Sequence, residues 1–447
     1  MTTKRYPLSS QDQMNAITRI HADQQIHLAL QFAERVEETR LEKALHLMML
    51  KEPVLGCRFI EEGGKAYWEK RSDLDSLQLS QVIYSTDPQS DLLAYVITPS
   101  NPAQDPLVQA RIIRSSSADL VCVKVNHVVA DGAGAKEIGY LLAETYRSLE
   151  ANPNLSLSEG KFKKRSQFPV YRTAGLIQTI RHFPKLNRLA SGKFTLPFIG
   201  KQSSERTFAM RRIEPDDLRS LKTFARSQSV TINDVLLSAL YRAMVSLGNP
   251  PAGQPLPIQV SIDLRRYVKN TQERAICNLS GALFPAPVLD PADTFELTLS
   301  KVSAEMLRFK SNQPGLGSAI LVDLVLARGF AKGKELLAKA TSGWSGTLNP
   351  LLSSNFGVLD AKRLSFGSLH LADAWMYCPI MFGHGLMLGT STYNDRLTMT
   401  IGYCQGTLAR QTIEGLLDTI VHELLSVIDR EPQLPAVPAQ FNILQTA

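Results

Sequence analysis

The stretch from Leu120 to Leu149 constrains the fold more than any other part of this chain. Val121, Val123 and Val125 alternate with Cys122, Lys124 and Asn126, the period-two pattern of a strand with one covered face. That phase puts His127 on the valine face. Ala130-Asp131-Gly132-Ala133-Gly134 then reads as a turn, with Gly132 and Gly134 supplying torsional freedom. A helix is expected from about Ala135 to Glu150, with Ile138, Leu141, Leu142, Thr145, Tyr146 and Leu149 on one face. A histidine at the covered end of a strand, followed by a tight turn, is held in place. With an ordinary pKa of ~6.5 it is mostly neutral at pH 7, able to take a proton from a hydroxyl or an amine. Asp131, four residues on, could orient the imidazole or pair with a cation and brace the turn; the sequence leaves both open.

The chain has 447 residues, too many for one ordinary core, so two domains or one fold built from two similar halves is expected. The first half, 1–150, alternates helices and strands. Ser10-Gln11-Asp12-Gln13 and Thr39-Arg40-Leu41-Glu42 read as capping boxes, each opening a helix. Strands are expected at Ile26–Ala33, near 56–60 and 66–69, and at Leu107–Ile113 and Leu120–His127 around a polar turn. Residues 151–205 read as a crossover with an amphipathic helix near Leu176–Leu189. The second half, 206–447, opens with a strand at Thr207–Arg212 and a helix at Pro215–Gln228. Thr231-Ile232-Asn233-Asp234 then caps an apolar helix over Val235–Leu247. Strands at Leu256–Ile262, Gly281–Pro287 and Ser353–Val358 precede a hairpin, Leu386–Tyr393 and Leu397–Tyr403, around Asn394-Asp395, residues permissive of positive φ. A helix over Thr412–Val427 closes the pattern. Both halves read as α/β with mixed sheets, polar residues turned outward.

The order strand, Asn126-His127-Val128-Val129-Ala130-Asp131-Gly132, helix resembles the H-x-x-x-D-G motif of the CoA-dependent acyltransferase superfamily, whose members include chloramphenicol acetyltransferase and peptide condensation domains. Three further stretches resemble its condensation and alcohol-acyltransferase branch, in the expected order. They are Thr231–Leu240, the pair Ile262-Asp263-Leu264-Arg265-Arg266 and Cys277–Phe284, and Ser354-Asn355-Phe356-Gly357-Val358. The resemblance covers most of the chain. It implies two chloramphenicol-acetyltransferase-like halves, each a two-layer α+β sandwich, with a channel between them and His127 at its middle. It also implies His127 as the base, Asp131 in a structural part paired with an arginine, for which Arg265 is the candidate, and no covalent acyl-enzyme. Ser354 and Asn355 are candidate donors to the oxyanion that such a reaction forms. Acyl-CoA or a phosphopantetheinyl-carrier thioester is implied as co-substrate, with no metal and no permanently bound cofactor. Where many relatives carry a double histidine, Asn126 stands in the first position. The absence of D-F-G-W-G argues against the plant branch, and the expectation is a free-standing enzyme making an ester or an amide. A non-catalytic relative that binds a carrier protein or a thioester is the alternative, as is condensation between two carriers.

Net charge is +7, unevenly placed. From Gly160 to Ser204 there is no acidic residue, while Lys161, Lys163, Lys164, Arg165, Arg172, Arg181, Lys185, Arg188, Lys193 and Lys201 fall there. Such a block suits a phosphate-bearing co-substrate, an acidic carrier protein or peripheral membrane contact through 161–201, or is simply a solvated crossover. No nucleic-acid motif accompanies it. The acceptor is expected to be a small molecule or a lipid. The five cysteines are scattered without a C-x-x-C pair, which argues against a disulfide framework or a zinc site. With no apolar leader and no run of ~18 apolar residues, a cytoplasmic location is expected. Met376, Met381 and Met387 near Trp375, and His384, could line an acceptor pocket; core packing is the simpler reading of the methionines.

Overall fold

The computed structural model describes residues 4–428 other than 117, 175–204, 249, 251–252, 269–274, 312, 342–350 and 384. The motif strand, Asp119–Asn126, lies in the middle of a five-stranded sheet in the order Leu371–Tyr377, Gln25–Phe32, Asp119–Asn126, Val108–Arg114, Ser80–Tyr84. Only the pair Ser80–Tyr84 and Val108–Arg114 is parallel. The polar turn is locked at its mouth, where Arg114 Nη2 donates to the buried Asp119 Oδ2 at 2.8 Å. Val121, Val123 and Val125 face a core shared with the helices Glu38–Lys51 and Gly132–Ala151.

The opposite face is covered too. Leu120 and Cys122 lie in a second cluster with Leu92, Tyr95 and Val96 of the helix Pro88–Ile97 and with Trp375 and Tyr377. Every residue of the motif strand is therefore buried, and the expectation of an outward polar face is corrected. Lys124 keeps its charge satisfied by donating to the Thr98 carbonyl at 2.7 Å and sitting 4.3 Å above the Tyr95 ring; burial pulls its ammonium down to about 8. The sequence does carry a start signal for the covering helix, Asp87 followed by Pro88, the N-cap and first-turn positions it occupies.

A six-stranded sheet forms the second lobe, in the order Ser280–Leu283, Gln259–Asp263, Leu352–Val358, Met387–Tyr393, Arg396–Cys404, Arg206–Ile213. Its central strand runs parallel to both neighbours. The helices Ile232–Gly248, Phe295–Lys310 and Arg410–Ser426 pack on it to form the second core. The hairpin turns at Asn394 and Asp395, with φ of 44° and 59°, as their residue types allow. A small sheet of Arg5–Pro7, Lys65–Lys70 and Cys57–Glu62 flanks the first lobe. The architecture is the two-lobed, mixed α/β fold expected.

The lobes are not consecutive pieces of chain. Strand Leu371–Tyr377 pairs antiparallel with Gln25–Phe32, and Phe356, Leu364, Phe366 and Met376 sit in the first core. A division at 150 and 206 follows the order of the chain but cuts through a sheet. Trp375 and Met376 are fully buried core residues. The crossover docks on the first lobe, where Phe162 stacks on Tyr6 with ring centroids 3.8 Å apart; the helix expected at Leu176–Leu189 lies outside the described residues, as does His384. The first helix, Ser10–Ile17, starts one residue earlier than read, with Ser9 as N-cap in a reciprocal box with Asp12. The second box is not formed: Glu37 caps Glu38–Lys51, and Glu42 accepts from Leu79 and Ser80. Among the described residues no single helix is long and apolar enough to cross a membrane.

Candidate active site

The strand ends at Asn126, so His127 opens the turn instead of closing the strand, and the helix begins at Gly132. Two bonds set the entry to the turn. The His127 N–H donates to the Gln24 carbonyl at 2.8 Å, Gln24 being held at φ 53°, and the Val128 N–H donates to Asn126 Oδ1 at 3.1 Å. Asn126, read as part of the motif, thus folds back over its own turn. Val128, Val129 and Ala130 are fully buried, while His127 itself is half-buried.

Asp131 is the N-cap of the motif helix, its Oδ1 accepting from the Gly134 N–H at 2.8 Å. Arg265 reaches it from the second lobe with two bonds, Nη2 to Oδ1 at 3.0 Å and Nη1 to Oδ2 at 3.1 Å. Leu279 N (2.7 Å) and Ser280 Oγ (3.2 Å) also donate to Oδ2. Burial alone would push the Asp131 carboxyl up, but the guanidinium and the two backbone N–H groups outweigh it and hold it below the ordinary range. The carboxylate is therefore committed to Arg265 and the helix end. Arg265 also donates to the carbonyls of Ala275 and Cys277 and to Asp263, so the pair ties the motif turn to two segments of the second lobe, 263–265 and 275–280.

The imidazole of His127 is pushed below its usual value by burial, against the opposing pull of its own backbone carbonyl, the Asp131 charge and the Asn278 side chain. A ring held neutral keeps a lone pair available. Asn15, on the first helix, donates to the His127 carbonyl at 3.2 Å, and its Nδ2 lies equally far from Nδ1.

The two motif glycines serve clearance, which corrects the torsional reading: neither has a positive φ. A Cβ on Gly132 would stand 2.5 Å from two atoms of the Phe356 ring, and one on Gly134 would stand 2.9 Å from the Cys277 carbonyl oxygen. Both contacts bring the second half of the chain against the motif turn, and only a missing side chain permits that approach.

The remaining candidates separate from this centre. Asn355 is exposed, with Nδ2 donating to Asn233 at 3.2 Å and Oδ1 accepting from the Gly357 N–H at 2.8 Å, where it braces a bulge in its strand. Ser354 is half-buried on the same strand. Neither bonds to His127. Of the basic block, Lys161, Lys164 and Arg172 are exposed and Lys163 pairs with Glu52, but Arg165 is buried and bonded to Asp12. It is no part of a solvated surface. Arg181, Lys185, Arg188, Lys193 and Lys201 lie outside the described residues. Sequence reasoning missed four residues that touch the turn or its supports: Asp12, Asn15, Arg165 and Asn278. The signals were faint, since a capping residue, an arginine within a lysine run and two asparagines have no periodicity. The five cysteines are all buried and unbridged; beside the motif turn, burial pushes the Cys277 thiol up to about 11.

No curated protein matches the sequence. Polyketide synthase associated protein 5 from Mycobacterium tuberculosis is similar in structure, with 15% identity, a TM-score of 0.67, and 96% of this chain and 98% of that one covered. So is the first condensation domain of the calcium-dependent antibiotic synthetase, with 15% identity, a TM-score of 0.70, and 95% and 96% covered. Trichothecene 15-O-acetyltransferase from Fusarium sporotrichioides, at 10% identity, has a TM-score of 0.73 with 95% of each chain covered. These likenesses establish the fold. The family profile described as "Condensation domain" matches residues 4–249, more than half of the sequence and the part that carries the His127 turn, and the chain belongs to the condensation-domain family.

Proposed function

We propose that this protein is an acyltransferase that moves an acyl group from a CoA or carrier-protein thioester to a hydroxyl or amine acceptor, with His127 as general base. The observation that carries this reading is the setting of His127: half-buried at the head of the motif turn, its ring held below the ordinary pKa by burial, and the carboxylate beside it engaged by Arg265. In the tautomer with the ring proton on Nδ1, where Asn15 Nδ2 and the ring N–H both donate to the His127 carbonyl, Nε2 offers its lone pair to the acceptor. The acceptor heteroatom attacks the thioester carbonyl carbon as Nε2 takes its proton. The resulting oxyanion collapses, the C–S bond breaks, and the thiolate leaves with the proton returned by the imidazolium. Direct transfer is favoured because the cysteine beside the turn is held as a thiol and makes a poor nucleophile. Acceptor and thioester are envisaged as entering from opposite sides of a channel between the lobes.

The test is a panel of acyl-CoAs and acyl carriers, short to long, against several alcohols and amines, run with the wild type and with His127→Ala. Ester or amide formation that His127→Ala abolishes, with an unchanged circular dichroism spectrum and unfolding midpoint, is the expected result. Turnover that survives the substitution overturns the role of His127. Tight thioester or carrier binding with no transfer to any acceptor would instead mark a non-catalytic relative. Transfer only between two carrier-bound substrates would mark a condensation enzyme.

A further inference from the structure

The Asp131–Arg265 pair holds the far end of the motif turn; a separate network holds its near end. Three consecutive carbonyls, those of His127, Val128 and Val129, each accept from a side chain far away in sequence: Asn15 (3.2 Å), Asn278 (2.8 Å) and Arg165 (2.5 Å). Asn15 belongs to the first helix, Arg165 to the crossover and Asn278 to the second half. Two of the three converge on one carboxylate. Arg165 donates to Asp12 through Nε (2.7 Å to Oδ2) and Nη2 (2.8 Å to Oδ1), and Asn278 Nδ2 donates to Oδ1 at 3.0 Å. The Asp12 side chain is fully buried, with Trp68 Nε1 and the Ser9 N–H as its further donors. Arg165 is also fixed by the Ile276 carbonyl at 3.0 Å.

We infer that Asp12 is a positioning residue for His127: its carboxylate aims Arg165 and Asn278 at the turn carbonyls and so fixes the backbone from which the imidazole projects. The inference rests on His127 being the base. A buried backbone carbonyl needs some partner, and packing alone would explain one such bond. Three in succession, on the base and the two residues after it, with two donors aimed by a common anion, leave the turn no freedom to rotate. Asn278 Oδ1 has no hydrogen-bond partner among the described residues, and the Asn278 side chain acts on His127 in the sense that favours the protonated ring formed during transfer. The basic residue that the sequence offered to an outside anion thus serves an anion within the protein.

The test separates positioning from folding. Asp12→Asn alone leaves a buried guanidinium unpaired and lowers stability, so the informative protein is Asp12→Asn/Arg165→Met, which removes both charges together. It is expected to fold, because the buried charges leave as a pair, yet to lose ~10- to 100-fold in kcat with KM for both substrates little changed, the scale of a base displaced by about 1 Å. Asn278→Ala is expected to act in the same direction. Nitrogen-15 NMR of the His127 ring in the full-length protein supplies a readout that needs no substrate. A single Nδ1–H tautomer is expected in the wild type, and exchange between tautomers with a shifted titration in the double variant. Unchanged ring signals and titration in a folded double variant overturn the inference even if no substrate has been found. A wild-type kcat in that variant overturns it as well. If His127→Ala retains turnover while the double variant alters the ring signals, the assignment of the base fails and the positioning of the ring stands.

Discussion

Substituting Gly132 by alanine probes the clearance on which the turn depends. The added Cβ would lie 2.5 Å from two carbons of the Phe356 ring, about 1 Å inside the ~3.5–4.0 Å optimum for carbon contacts. Phe356 cannot swing away cheaply, since it is 7% exposed and packed in the first core. Overpacking of this kind costs about 1–3 kcal/mol. Where the ring holds and the helix end yields, Asp131 and the turn move by up to ~1 Å, enough to lower kcat by ~100-fold. Denaturant unfolding and initial acyl-transfer rates measure the two effects. Phe356→Ala alone removes a buried ring at about 3–5 kcal/mol. In the Gly132→Ala background it also relieves the clash, so the double variant should be more stable than additivity allows by about 1–3 kcal/mol. Additive losses, or a Gly132→Ala protein with wild-type midpoint and turnover, would refute the clearance argument.

Other consequences follow from the same geometry. Because burial lowers the His127 pKa, kcat/KM should rise with pH through a value below ~6.5 and be level at neutral pH, read from a pH–rate profile; an acidic limb centred above 7 contradicts it. The native state then binds fewer protons than the unfolded chain, so the stability this group contributes is present above ~6.5 and falls as pH drops through that window. Asp131→Asn and Arg265→Met should each cost about 3–5 kcal/mol by stranding a buried charge, and the double variant far less than their sum; purely additive losses in a double-mutant cycle refute the pairing. Asn355→Ala should lose about 1 kcal/mol with its two bonds while kcat stays near wild type; a fall of ~100-fold in kcat would assign it an oxyanion role after all.

Much of the strand framework of both lobes was legible because its signals are local. The alternation of valines fixed the motif strand to within a residue, and the hairpin at Asn394-Asp395 followed from residue types that tolerate positive φ. Arg265 was chosen from the family resemblance, and it lies in contact with Asp131. Helix starts were read with less success. Ser9 and Ser10 are both able to cap, and Glu37, Thr39 and Glu42 compete at the second helix. Burial on both faces of the motif strand was hidden, since a lysine within a strand reads as solvent-facing until a carbonyl and a tyrosine ring are known to meet it.

The sequence by itself determined the local elements and the α/β class, because both rest on neighbours a few positions apart. Tertiary structure alone decided that Arg165 answers Asp12, and that the second half of the chain supplies a strand to the first sheet. It also decided that Gly132 exists to admit Phe356. The physical reason is common to all three. Asp12 and Asn278 are 266 residues apart, Asp131 and Arg265 are 134 apart, and such pairings depend on the directions of whole elements, which no local period encodes.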